Sequence, residues 1–382
     1  MNNLKKDVIP YRIKQGRVSR GFSMAELADL VGVSKQAISQ YETGRNEPTN
    51  ATLNQISSIL RYPVSYFRKP MPKIDTASSG VFFRSKKTSK IKDKNAAMEK
   101  INIFSEIHEY LNAFIEFPEV KFPKIEYNND GENGIDNNTI ERYAQQLRTC
   151  WSLGNGPIDS LINVAQKNGI IISSMSLRLA KLEAFSVWNN IPYIFVNSDK
   201  DSNARIRFSI AHEIGHLIMH ADNYTEEELK KEEIYNMTED EANRFAGALL
   251  LPAETFSKDI YSSSIDHFIQ LKAKWKVSIA AMIMRCEVLG LLTQNQIKYL
   301  KDQMTKRVYW RTEPLDNTTP VERPYAHKQA VKLLLENNII SPSKFIEDTG
   351  CLKEELEEYC FLDKGMLDIK EDSNVIQLRR VQ

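Results

Sequence analysis

The sequence predicts a multidomain chain: an all-α head, an α+β body and a helical C-terminal region. Three observations predict this. Residues 8 to about 68 read as short helices joined by short turns. The short apolar run PYIFVN (192–197) reads as a strand, and a long apolar helix follows it. Charge divides along the same line: residues 1–100 hold 19 Lys and Arg against 8 Asp and Glu, or +11, so the net charge of +1 leaves −10 on the other 282. A basic head on an acidic body points to a polyanionic partner for the head.

The chain divides at changes of composition. Residues 1–70 form the head. Residues 71–138 form a basic linker and a connecting helix. Arg84, Lys86, Lys87, Lys90, Lys92 and Lys94 fall in the linker, and Val81, Phe82 and Phe83 interrupt it as a segment expected to dock on something. Residues 95–115 return to a helical apolar pattern through Ile101, Ile103, Phe104, Ile107, Tyr110 and Leu111, a candidate dimer surface; 117–138 reads as loop. The body spans 139–315. Its helices ERYAQQLRTCW and PIDSLINVAQKNG, the second closed by Gly169, come before strands at IIISS and 184–187. Residues 316–382 read as two or three small helices with a polar tail.

Cys150, Cys286, Cys351 and Cys360 are scattered, with no CxxC pair. That argues against a disulfide framework or a four-cysteine zinc site and for a reducing compartment. The first twenty residues lack an apolar h-region, and no run approaches the roughly 20 apolar residues of a membrane span, so a cytoplasmic chain with no membrane partner is expected.

Within the head, Ser23 stands at an N-cap position with Glu26 three residues on, a capping box. The helix 24–31 should bury Leu27, Ala28 and Val31. Gly32 allows a tight turn, Val33 plugs the core, and Ser34 caps a second helix, 35–42, burying Ala37, Ile38 and Tyr41. Small residues at 28 and 32 let two helices cross steeply. Lys35, Gln36, Ser39 and Gln40 then face outward together with Ser34, placed to reach base edges and phosphates from the major groove, while Arg45 and Asn46 follow Gly44 toward the backbone. The stretch LADLVGVSKQAISQYETGRNEP resembles the helix-turn-helix of the phage-repressor and Cro-like (XRE) family over about sixty residues. The resemblance implies a double-stranded DNA operator and a homodimer reading paired half-sites. Met24 stands where many relatives place a phosphate-contacting glutamine.

In the body, RIRFSIAHEIGHLIMH (205–220) carries HExxH. Residues four apart share a helix face, so His212 and His216 can present two ring nitrogens to one ion. Glu213 projects beside that ion, where it can take a proton from the attacking water. A third ligand should come from TEDEANRFAGALLLP (238–252). Glu239 is the preferred residue because Asn243, four residues on, shares its face and can support a ligand from behind. Glu241, about 160° round the helix from Asn243, competes with it. His220 is expected at the helix end in solvent, and Glu227, Glu228 and Glu232 on a solvated surface. The strand 192–197 offers an edge for an extended substrate. Tyr193, Arg207 and His220 are candidate oxyanion stabilisers, none singled out. A purely structural metal would need a fourth protein ligand, which the sequence does not suggest.

RFSIAHEIGHLIMH, EDEANRFAGALLLP, WKVSIAAMIMRCEVLGLL and WRTEP, with weaker matches at LRTCWSLGNGPIDSL and KNGI, resemble the ImmA/IrrE family of metallopeptidases. The resemblance implies a zincin-like (thermolysin-like) body with Zn2+ held by His212, His216 and Glu239, Glu213 as general base, and endopeptidase action on a repressor-like protein. The alternative is a transcription factor whose peptidase-like domain senses a ligand or partner without proteolysis.

Overall fold

The computed structural model describes residues 8–70, 81–82, 91–125, 134–176, 183–197, 202–221 and 223–368. They form two compact units, each gathered from separate stretches. Met1–Pro72, Lys94–Ile115 and His327–Gln382 make the first; Lys73–Asp93 and Glu116–Ala326 make the second.

The first unit opens with α1 (Pro10–Ser19), α2 (Met24–Val31), α3 (Lys35–Thr43) and α4 (Asn50–Leu60), then a 3-10 turn at Val64–Arg68. The capping box at the start of α2 is formed: Ser23 Oγ accepts from the Glu26 N–H at 3.1 Å, and Glu26 accepts from the Ser23 N–H at 2.6 Å. The chain turns through Gly32 at φ 75°, and Ser34 Oγ caps α3 by accepting from the Ala37 N–H. Leu27, Ala28, Ile38, Leu53 and Ile56 fill the interior. Apolar burial is supplemented by buried charge. Arg17 on α1 donates twice to Glu42 on α3, at 2.5 and 2.9 Å, and the fork of a guanidinium on a carboxylate fixes their relative angle. Arg12 makes a longer-range link with a single bond, donating to Glu106 at 2.6 Å on α5 (Ile91–Asn112).

The second unit holds α6 (Asn137–Cys150), α7 (Leu161–Lys167) and a four-stranded sheet of β1 (Val81–Phe82), β2 (Ile171–Met175), β3 (Ala184–Asn189) and β4 (Ile191–Asn197), in the order β1-β3-β4-β2. β3 and β4 pair antiparallel about Asn190, whose φ is 57°. β2 lies parallel to β4 on its other side, and β1 pairs antiparallel with β3, placing Phe82 opposite Ser186. The expected open edge at 192–197 is thus corrected: β4 is bonded on both sides, because the β3 hairpin takes one edge and β2 the other. Phe83 and the basic residues 84–90 lie outside the described residues.

Helices α8 (Asn203–Met219), α9 (Glu226–Leu229), α10 (Glu232–Leu250), α11 (Ala253–Asp259), α12 (Ile265–Trp275), α13 (Ile279–Val288) and α14 (Gln294–Lys306) complete this unit. One core of Leu147, Leu161, Ile194, Ile210, Ile214, Phe245 and Trp275 joins sheet and helices. Gly215 lets α10 approach α8 closely: a Cβ there would sit 3.1 Å from the Phe245 ring. The WRTEP segment anchors the far side. Buried Lys272 donates to Glu313 at 2.8 Å and Asp316 at 2.6 Å, and Glu313 accepts the Ile279 and Ala280 N–H groups at the α13 N-terminus, where a carboxylate is favoured.

The chain then returns to the first unit through α15 (Ala326–Glu336), α16 (Pro342–Thr349) and α17 (Lys353–Tyr359). Of these, α15 and α16 pack on α5. Tyr110 donates to Asp348 at 3.0 Å, and His327 packs on Phe104 and His108. Ile101, Phe104, Ile107 and Leu111 are therefore buried within this unit, so helix 95–115 does not present that apolar face as a dimer surface. All four cysteines are free thiols. Among the described residues no helix is long and apolar enough to cross a membrane.

Candidate metal centre and nucleic-acid interface

The HExxH segment lies within α8, and its i, i+4 spacing sets His212 and His216 on one face. Both rings are buried, with their Nε2 atoms 3.0 Å apart. α10 packs across α8 and brings in Glu239, whose Oε1 is 3.4 Å from His216 Nε2 and whose Oε2 is 3.8 Å from His212 Nε2. The three residues offer ligand atoms all within 4.8 Å of one another. An ion held tetrahedrally with bonds of about 2.0–2.1 Å sets its ligands about 3.3 Å apart, so the spacing and the two-nitrogen, one-oxygen donor set fit zinc.

Polar partners stand behind these residues, Asn243 half-buried and His220 and Glu241 buried. Asn243 Oδ1 lies 2.9 Å from His212 Nδ1. His216 Nδ1 lies 2.8 Å from His220 Nδ1, and His220 Nε2 lies 2.8 Å from Glu241 Oε2. His220 is completely buried, so its expected place in solvent is corrected: the C-cap of α8 is closed over by α10. Burial pushes the His220 imidazole down to about 4, against the opposing hydrogen bond that it donates to Glu241. Glu241 sits behind His220 and not beside the paired Nε2 atoms, so the structure brings Glu239, and not Glu241, to the histidine pair.

Glu213, next to His212, is 1% exposed and accepts from Ser186 Oγ on β3 at 2.7 Å. Sequence reasoning placed that strand but missed Ser186; strand alternation toward α8 was the available signal. Of the oxyanion candidates, Arg207 is fully buried, paired with Glu322 and donating to the Ile158 carbonyl at 2.6 Å, and His220 is engaged as above. Tyr193 is buried in β4 beside Phe195. Glu227 and Glu232 are exposed. Glu228 closes a capping box with Thr225.

In the head, Lys35 and Gln36 are exposed on α3, Ser39 and Gln40 are half-buried, and Arg45 and Asn46 are exposed just past the helix. Ser34 is also exposed, but its hydroxyl oxygen is engaged as the cap of α3.

Residues 165–287 match the IrrE N-terminal-like domain, and residues 13–67 match the helix-turn-helix model. The chain is 36% identical over 58 residues to the SPbeta prophage-derived uncharacterized HTH-type transcriptional regulator YonR of Bacillus subtilis (strain 168), covering 15% of this chain and 54% of that protein. It is 40% identical over 70 residues to the HTH-type transcriptional regulator SutR of Escherichia coli (strain K12), covering 18% and 39%. It is 32% identical over 74 residues to an uncharacterized transcriptional regulator in the ATPase CF(0) region of Rhodospirillum rubrum, covering 19% and 68%. The chain thus spans about half the length of the first two relatives. With the head matched by both its sequence model and these regulators, and the HExxH unit matched separately, the chain belongs to the XRE-type helix-turn-helix transcriptional regulators and carries an IrrE-like peptidase domain.

Proposed function

We propose that this chain is a DNA-binding regulator whose second unit is a zinc-dependent endopeptidase acting on a repressor-like protein. The observation that carries this reading is the convergence of His212, His216 and Glu239 at spacings of 3.0 to 3.8 Å, with Glu213 adjacent on the same helix. Zinc, when bound, would polarise a scissile carbonyl and make a water acidic enough to react near neutral pH. His212, His216 and Glu239 would hold it. Glu213, steadied at Oε2 by Ser186, would take the water proton and return it to the leaving amine. The near-complete burial of Glu213 keeps bulk water from screening that transfer.

The head would bind operator DNA through α3 in the major groove. Lys35, Gln36, Ser39 and Gln40 would meet bases and phosphates beside Ser34, and Arg45 and Asn46 would meet the backbone. Paired half-sites would require two copies of the chain. The test is Glu213→Gln in the full chain, assayed against repressors encoded by neighbouring genes. Zinc content and operator binding should persist while cleavage stops. A wild-type chain that binds zinc and operator yet leaves every such repressor, and itself, uncut contradicts the endopeptidase reading and favours a sensor.

A further inference from the structure

We propose that His220 and Glu241 are positioning residues for the metal site, holding His216 in the tautomer that can act as a ligand; this rests on the zinc reading above. Glu241 is fully buried on α10. Its Oε1 accepts the Ile135 N–H at 2.6 Å, and its Oε2 is 2.8 Å from His220 Nε2. A carboxylate whose Oε1 already accepts a backbone N–H offers Oε2 as a second acceptor, so His220 carries its proton on Nε2. A neutral imidazole has one N–H, so His220 Nδ1 is an acceptor. The atom 2.8 Å from it, His216 Nδ1, is then the donor. His216 Nε2 is left with its lone pair, and this is the atom that faces Glu239 and His212.

The backbone around Glu241 is shaped for this contact. Gly134 has φ 68°, and a Cβ on it would come 2.5 Å from Glu241 Oε1. Glycine therefore permits the approach that lets Ile135 grip the carboxylate. His212 is held by a different device, the neutral amide oxygen of Asn243 at 2.9 Å. One ligand is thus backed by an amide, the other by a carboxylate acting through a second imidazole. A carboxylate in that position raises ligand basicity as well as fixing the ring.

The test uses two readouts on the full-length chain. In competition with a chromophoric chelator, Glu241→Gln and His220→Phe should weaken zinc binding by about 10–100-fold. Gly134→Ala should shift it in the same direction. Nitrogen NMR of the zinc-free wild type should show His216 protonated at Nδ1 and His220 at Nε2. In Glu241→Gln one amide face must meet the Ile135 N–H, and the His216 tautomers should mix; a merely structural role for Glu241 would leave the tautomer alone. If His220→Phe does not fold, the nearly isosteric Glu241→Gln decides. A folded Glu241→Gln with wild-type zinc affinity and an unchanged His216 tautomer overturns this proposal and leaves the endopeptidase reading standing. A wild type that takes up no zinc overturns both.

Discussion

His108 and His327 in the first unit, and His212, His216 and His220 in the second, are all buried imidazoles, yet they are organised differently. His108 Nδ1 and His327 Nε2 lie 3.2 Å apart beside Phe104, a packing arrangement inside helices α5 and α15. The second group is directional: Asn243 and Glu241 stand behind the rings, and the Nε2 atoms of His212 and His216 converge with Glu239 in front. Burial pushes His108 and His220 alike down to about 4, so a depressed pKa does not separate a packed histidine from a working one. The direction of the ring nitrogens and the presence of carboxylates do.

The largest expected effect tests that contrast by function. Glu213→Gln should lower cleavage by about 10²–10⁴-fold, the usual contribution of a general base. His327→Phe should leave cleavage unchanged while altering the stability of the first unit. Equal losses in a cleavage assay would erase the distinction.

A third buried cluster sharpens it. Lys272 supplies its own cation to Glu313 and Asp316, so removing it leaves two buried carboxylates together. Lys272→Met should cost about 3–5 kcal/mol in denaturant unfolding, by the rule for a broken buried pair. Added zinc should not restore the loss, whereas zinc should stabilise the His212 cluster through mass action.

The histidine pair predicts a pH effect of definite sign. His108 falls from 6.5 to about 4 on folding, and His327 is also lowered, by burial and then by His108. The unfolded chain therefore binds more protons between those values. Stability is fully present above pH 6.5 and is lost as the pH falls toward 4, by about 3 kcal/mol for His108 alone. Replacing both residues by Gln should flatten the dependence of unfolding temperature on pH in that window; an unchanged slope would show that the pair does not titrate as described.

The smallest effects belong to the exposed head. Gln36→Ala should relax base discrimination by about 1–3 kcal/mol in operator binding, and Arg45→Ala should reduce the salt slope by about 1 without changing sequence preference.

These regions also differ in how far the sequence discloses them. The head was legible because its signals are local: Ser23 with Glu26, and Ser34 with Ala37, act within one helical turn. His212 and His216 were legible for the same reason, and Glu239 could be argued from the face it shares with Asn243. His220 could not, since its burial depends on Glu241 and on the distant Gly134–Ile135 backbone. The joining of α15 and α16 to α5 was hidden too. It rests on contacts such as Tyr110–Asp348, which no local periodicity encodes. The enclosed position of β4 depends on β2 crossing over to pair beside it, a choice of partner that an apolar run does not specify.

The most direct measurement is metal analysis of the full-length chain purified without chelators, alongside His212→Ala, His216→Ala, Glu239→Ala and Glu213→Gln. One zinc per chain should be found in the wild type and in Glu213→Gln, and it should be lost or greatly weakened in the other three. A zinc-free wild type, or full zinc retention without Glu239, would contradict the proposed centre.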